Sequence, residues 1–134
     1  MFVWPTGKPA VLTAITILSE AFGEYAFVSA KLPAHSRPDR FVKVSRVGGG
    51  QQQIPTDNAR ILVECFAKDV GQVESMCNTA RAALRNSGGT TVTTTSGDVF
   101  VRGWDNETVA DYPHPDLIDF ERWQLTGDLA IKAN

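Results

Sequence analysis

The sequence has little of what active sites and metal centres are usually assembled from. Its 134 residues include two cysteines and two histidines. Cys65 and Cys77 stand apart with no histidine near them, which is not a zinc-ligand spacing. One falls in an apolar strand pattern and the other on an apolar helix stripe, so both are expected to be buried thiols. Spacing leaves open whether they face each other closely enough for a disulfide. His35 and His114 lie in proline-flanked loops near Asp39, or near Asp111 and Asp116. A histidine–carboxylate pair is where acid–base or metal chemistry starts, but a solvated loop histidine is the plainer expectation. There is no excess of one charge: 13 basic and 15 acidic side chains leave −2. A general nucleic-acid binder gains from counterion release and needs a basic surplus, so specific nucleic-acid binding is not expected. No apolar run approaches the roughly 18 residues of a membrane span. The start, MFVWPTGKP, lacks the charged residues and apolar segment of a signal peptide. A soluble protein, intracellular at synthesis and without a membrane partner, is expected. Internal repeats and low-complexity tracts are missing too.

The run Gly48-Gly49-Gly50 invites a test for phosphate binding. A phosphate loop needs a lysine and a hydroxyl at fixed spacing before a helix, or glycines in a strand–turn–helix unit. Here Gln51, Gln52 and Gln53 follow and lead to another strand, so residues 48–57 read as a flexible hairpin loop. Thr90 to Thr95 is a hydroxyl run without a base. Asp111, Asp116, Asp119 and Glu121 surround Pro113-His114-Pro115 and read as a solvated loop, a weak cation site being the alternative. No catalytic, metal or cofactor residue is assigned, and the chain is not expected to be an enzyme.

What is present reads as one domain over residues 1–134, long enough to bury about two-thirds of its unfolded surface. Hydrophobic residues are 43% and charged residues 21%, ordinary for a globular chain. The organising stretch is Arg40 to Arg85: strand, Gly/Gln-rich loop, strand, amphipathic helix. From Ala59 to Phe66 both parities are apolar, which predicts a central strand covered on both faces. Asp69 with Gln72 fits a capping box. Val70, Val73, Cys77, Ala80 and Leu84 then give one apolar helix stripe.

Around this unit, Lys8 to Phe22 reads as a helix with Val11, Ile15, Leu18 and Phe22 on one face and Gly23 as its stop. Residues 1–8 form an N-terminal arm. Its Phe2 and Trp4 either fold back over the core or anchor a neighbouring subunit. Glu24 to Leu32 and Arg40 to Val47 read as strands, with Lys43 and Arg46 on opposite parities. Val99 to Trp104 and Thr108 to Tyr112 read as two strands separated by a turn at Asp105-Asn106. Phe120 to Ile131 is a long half-buried strand, with Trp123, Leu125, Leu129 and Ile131 on one parity and Arg122 and Gln124 on the other. Trp104 and Trp123 read as core. The order predicts an α+β fold: a mainly antiparallel β-sheet with two α-helices packed on it.

The stretch Arg37-Pro38-Asp39-Arg40-Phe41-Val42-Lys43-Val44, then Arg46-Val47-Gly48-Gly49, resembles the tail terminator (tail completion) proteins of long-tailed bacteriophages, particularly those infecting actinobacteria. The similarity continues through Asp57, Val63-Glu64-Cys65-Phe66-Ala67, Ala80, Ala83 and Leu84, and Glu121-Arg122-Trp123-Gln124-Leu125. It runs from about Pro9 to Ile131; Gln51–Gln53 and residues 105–116 depart from it. The resemblance implies a virion protein, assembled in the host cytoplasm and located at the head-proximal end of the tail. It implies a homo-oligomeric ring, a hexamer, that caps the major tail tube protein, ends its polymerisation and offers a surface to the head–tail connector protein. DNA can pass through the lumen of such a ring. Candidate subunit or tube contacts are Phe2, Trp4, Arg37, Arg40, Lys43, Arg46, Gln51, Gln52, Gln53, Arg122 and Gln124. The alternatives are a head–tail connector or minor tail subunit, and, further off, a small-ligand-binding domain or enzyme.

Overall fold

In chain order the elements are α1 (Ala10–Phe22), β1 (Phe27–Ser29), β2 (Phe41–Gln53), β3 (Thr56–Ala67), α2 (Val70–Asn86), β4 (Thr91–Thr94), β5 (Gly97–Asp111) and β6 (Glu121–Lys132). They come from a computed structural model that describes residues 7–34, 37–53 and 55–133, with Gln51–Gln53 described by backbone alone. The six strands form one sheet in the order β1-β2-β3-β6-β5-β4. All neighbours are antiparallel except β1, which runs parallel to β2. This is the α+β architecture the element order predicted.

The central position of β3 follows from its apolar residues of both parities. Ala59, Ile61, Val63 and Cys65 join the main core with Val42, Val44, Leu125, Leu129 and both helices. Phe66, of the other parity, stacks on Phe41 with ring centroids 4.5 Å apart and packs with Leu117 on the opposite face. In α2 the Asp69 carboxylate accepts the Gln72 backbone N–H at 3.1 Å, as the capping pattern predicted. Val73, Met76, Cys77, Ala80 and Leu84 are its buried residues. Val70, expected in that stripe, is 52% exposed in the first turn, and Met76, not expected there, is buried. The thiols of Cys65 and Cys77 are both buried and unbridged.

In α1 the buried face is Ala10, Thr13, Ala14, Ile17, Leu18 and Phe22. Val11 and Ile15, expected on it, are half-buried at its margin. Small residues face inward because α1 packs against α2 as well as the sheet, touching both outermost strands, β1 and β4. At 13 residues the helix is about 20 Å long, close to the roughly 24 Å breadth of six strands.

Three strand boundaries differ from the sequence reading. Only Phe27–Ser29 of the stretch Glu24 to Leu32 is a strand. Tyr25 donates its backbone N–H to the Phe22 carbonyl and accepts from Arg40 on its own, so the preceding residues close the helix instead. The predicted loop at 48–57 is largely ladder: Gly48, Gly49 and Gly50 pair with Arg60, Ala59 and Asn58 beyond a bulge at Arg46–Gly48. Gly49 sits at φ +81°, where a Cβ would overlap the Asn58 carbonyl oxygen, so glycine is a packing requirement there. The two short strands expected around Asp105-Asn106 are one strand, β5. The turn chemistry there makes a bulge between Asp105 and Thr108, with Asn106 at φ 56°. Gly127 of β6 admits the ring of Trp104: a Cβ would lie 2.3 Å from its Cζ2 atom.

Candidate functional site

Among the described residues no enclosed reaction centre emerges from the geometry. A concavity of about 680 Å³ is an open groove between α1, the end of α2 and β4, lined by Thr16, Glu20, Ala83, Asn86, Thr91 and Thr93 among others. Glu20 is its one ionisable side chain, so it lacks the convergent titratable groups of an active site. Among the described residues no three His, Cys, Asp or Glu side chains come together as a metal site. His114 Nδ1 accepts the Asp116 backbone N–H at 3.1 Å and so closes its own turn. His35 lies outside the described residues.

Part of the polar chemistry lies on the sheet face that the helices leave uncovered. Strand register places Lys43, Glu64 and Gln124 in a row across β2, β3 and β6. Arg122 donates from Nη1 to Glu64 Oε1 at 2.9 Å and from Nε to the Tyr112 carbonyl at 2.7 Å. Lys43 Nζ lies 3.5 Å from the other Glu64 oxygen. Glu64 and Arg122 are only 6% and 7% exposed. Segment 112–120 covers this end of the face, with Leu117 and Phe120 against Phe41 and Phe66. Charges out of water are tolerable when the partner geometry is good and further hydrogen bonds occupy the remaining protons. Farther along the face, Asp128 takes Arg60 Nη1 and Asn106 Nδ2, each at 3.0 Å.

Two more carboxylates lock the edges. Asp57 receives both terminal nitrogens of Arg46 at 2.9 Å, while Arg46 Nε donates to the Gly48 carbonyl and braces the bulge. Glu107, turned toward the helices at the β5 bulge, accepts from Arg81 Nε at 2.6 Å, Arg85 Nη2 at 2.7 Å and Trp104 Nε1 at 2.9 Å. Burial by itself would raise the Glu107 pKa. The hydrogen bonds from Arg81, Trp104 and Arg85 outweigh it and hold the carboxyl below its ordinary value.

The contact residues expected from the sequence therefore fall in different settings. Arg37 is exposed. Arg40 lies 4.2 Å over the Tyr25 ring and donates to the Tyr25 carbonyl at 2.8 Å. Lys43 and Arg46 are in ion pairs on opposite faces, as their parities required. Gln124 is half-buried beside Glu64. Arg122 was expected on a wet or interface-facing parity and is instead buried, because segment 112–120 folds over it. Phe2 and Trp4 lie outside the described residues, and so do the side chains of Gln51–Gln53. The carboxylates Glu64, Asp57, Glu107 and Asp128 were missed. For Glu64 the visible signal was an acid among the apolar residues of a strand predicted to be covered on both faces.

No protein-family model matches the sequence, and no curated protein does. The fold, however, has a solved counterpart. It is similar to a chain in a virion. That structure is described as the virion of a native gene transfer agent (GTA) particle. The likeness covers 93% of this chain and 99% of that one, with a TM-score of 0.55 and 12% sequence identity. At that identity what is shared is the fold. Near-complete coverage in both directions means that the entire helix–sheet arrangement is common to both, rather than one hairpin.

Proposed function

We propose that this chain is a structural protein of a phage-like virion, and within that class a tail terminator. In this reading identical copies form a ring, a hexamer, that caps the tail tube, ends its polymerisation and presents a surface to the head–tail connector. The protein acts by shape and contact, with no catalytic step and no cofactor, and DNA passes through the lumen. It resides at the head-proximal end of the tail, after assembly in the host cytoplasm. The observation that carries the virion reading is the whole-chain likeness to the GTA virion chain. The terminator assignment rests on the sequence resemblance over Arg37–Gly49 and Glu121–Leu125.

The test measures solution mass by light scattering over a wide concentration range, images the same fractions by negative stain, and mixes the protein with purified tail tubes. Six-fold rings that bind tube ends and stop tube growth are the expected result. Rings that ignore tube ends but bind the head portal complex would overturn the terminator assignment in favour of a connector. A monomer that ignores both would overturn the virion reading.

A further inference from the structure

The groove between α1, the end of α2 and β4 is more apolar than its threonines suggest. Ile17, Ala83 and Val92 line it and also belong to, or pack on, the main core. Its volume of about 680 Å³ falls within the roughly 300–1,000 Å³ of sites that take drug-sized ligands. Helix geometry brings the start of the chain to it. Pro9 is the N-cap of α1, and Thr16 and Glu20 follow seven and eleven positions later. At about 100° per residue, both stand within about 20° of the face on which Pro9 lies. The chain therefore joins α1 on the side that walls the groove, and Glu20 lies about 16 Å farther along the axis. Residues 1–6, if extended, span about 20 Å.

We infer that this groove is the seat of the chain's own residues 1–6, which turn back along α1 so that Trp4 enters near Thr16 and Phe2 near Glu20. The inference goes beyond the ring reading and does not depend on it. Composition agrees with the match. Met1, Phe2, Val3 and Trp4 are large and apolar, and none of residues 1–6 has a charged side chain. The groove asks for no charge, because its one ionisable side chain, Glu20, is exposed to solvent. Pro5 disfavours helical backbone at Trp4, so this stretch does not prolong α1. Gly7 has no atom outside its chain neighbours within 4 Å of where a Cβ would stand, which leaves room for the turn. A short tether holds the segment at high effective concentration beside its own groove and favours it over the groove of another copy. Of the two roles open to Phe2 and Trp4, covering their own chain or anchoring a neighbour, reach and helix face select the first.

The test uses the full chain labelled with fluorotryptophan, in which Trp4, Trp104 and Trp123 each give a fluorine resonance and Trp4→Phe assigns the first. The Trp4 resonance should be shifted from that of a synthetic peptide of residues 1–8. It should also be relaxed about three- to tenfold less by a soluble gadolinium chelate, since a pocket covers roughly 70–90% of its occupant's surface. Ala83→Arg, which fills the groove from α2, should return Trp4 to the peptide values and leave the other two resonances in place. Should it disturb those two, Thr93→Arg on the exposed wall of β4 replaces it with the same expectation. Peptide-like values in the unaltered chain would overturn the inference, and so would a shifted Trp4 that neither substitution moves. A mixture separates a chain's own groove from a neighbour's. Fluorinated Ala83→Arg is refolded from urea with an excess of unlabelled Phe2→Ser/Trp4→Ser, so that its residues 1–6 meet open grooves only on other copies. Trp4 should stay peptide-like; its return to the shifted position would show exchange between copies and overturn the own-chain seat. Each outcome reads the same whether or not the copies form rings or bind tail tubes, so a failure here leaves the terminator assignment standing.

Discussion

Replacing Arg122 with methionine tests whether the buried pair with Glu64 organises the helix-free face. Methionine keeps most of the aliphatic stem but removes the charge that faces Glu64, which is only 6% exposed. Breaking a buried pair from one side leaves the other charge uncompensated, at a cost of about 3–5 kcal/mol. The 3.5 Å contact with Lys43 places the expectation at the lower end of that range. The Tyr112 carbonyl also loses its 2.7 Å donor, adding about 1 kcal/mol. At roughly 2.1 cal/mol/K of unfolding entropy per residue, 134 residues give about 0.28 kcal/mol/K, so each kcal/mol moves Tm by about 3.5 °C. Arg122→Met should therefore lower Tm by about 10–15 °C, followed by far-UV circular dichroism and checked by urea denaturation. The double variant Arg122→Met/Glu64→Leu removes both charges and should recover most of that loss, leaving about 1–2 kcal/mol for the Tyr112 carbonyl and imperfect packing. A single variant that costs under about 1 kcal/mol would refute the reasoning. So would a double variant as unstable as the sum of its parts, since coupling between the two residues is the point at issue.

Gly127→Ala should destabilise by about 1–3 kcal/mol, because its Cβ must displace the Trp104 ring; Trp104→Phe/Gly127→Ala should lose less than the two single changes added together, measured by denaturant unfolding. Glu107 titrates below its usual 4.5 in the folded state, so its contribution is complete above that value and disappears as pH falls through the lower folded pKa. Glu107→Gln should abolish this part of the acid dependence in melts run from neutral to acid pH, and an unchanged profile would refute the assignment. Burial pushes the Cys77 thiol up to about 11 and the Cys65 thiol well above its ordinary value. With both thiols buried as well as hard to ionise, the native protein at pH 8 should react with a thiol-specific disulfide reagent far more slowly than free cysteine, and at the normal rate once unfolded in urea. Fast reaction of the folded chain would show that β3 and α2 do not pack as described.

Local chemistry made much of this molecule readable from its sequence. Asp69 and Gln72 marked the start of α2, and Gly23 the end of α1, because capping depends on residues a few positions apart. The single-parity apolar residues of β6 and the two-parity residues of β3 announced which strand is half-covered and which is central. The α+β class followed from element order alone. Where elements ended was less legible, since pairing overrode composition: β3 holds Gly48–Gly50 in a ladder, and a bulge rather than a turn absorbs Asp105-Asn106. The ion pairs were hidden for a related reason. Arg122 meets Glu64, and Arg81 and Arg85 meet Glu107, only after strands and helices distant in sequence are brought together. The sequence by itself determined helix caps, strand periodicity and the apolar content of the core, all set by interactions within a turn or along one strand. Tertiary structure alone decided which charges lie buried and which glycines must stay glycine. Those features depend on the register between segments, and no single segment encodes its register.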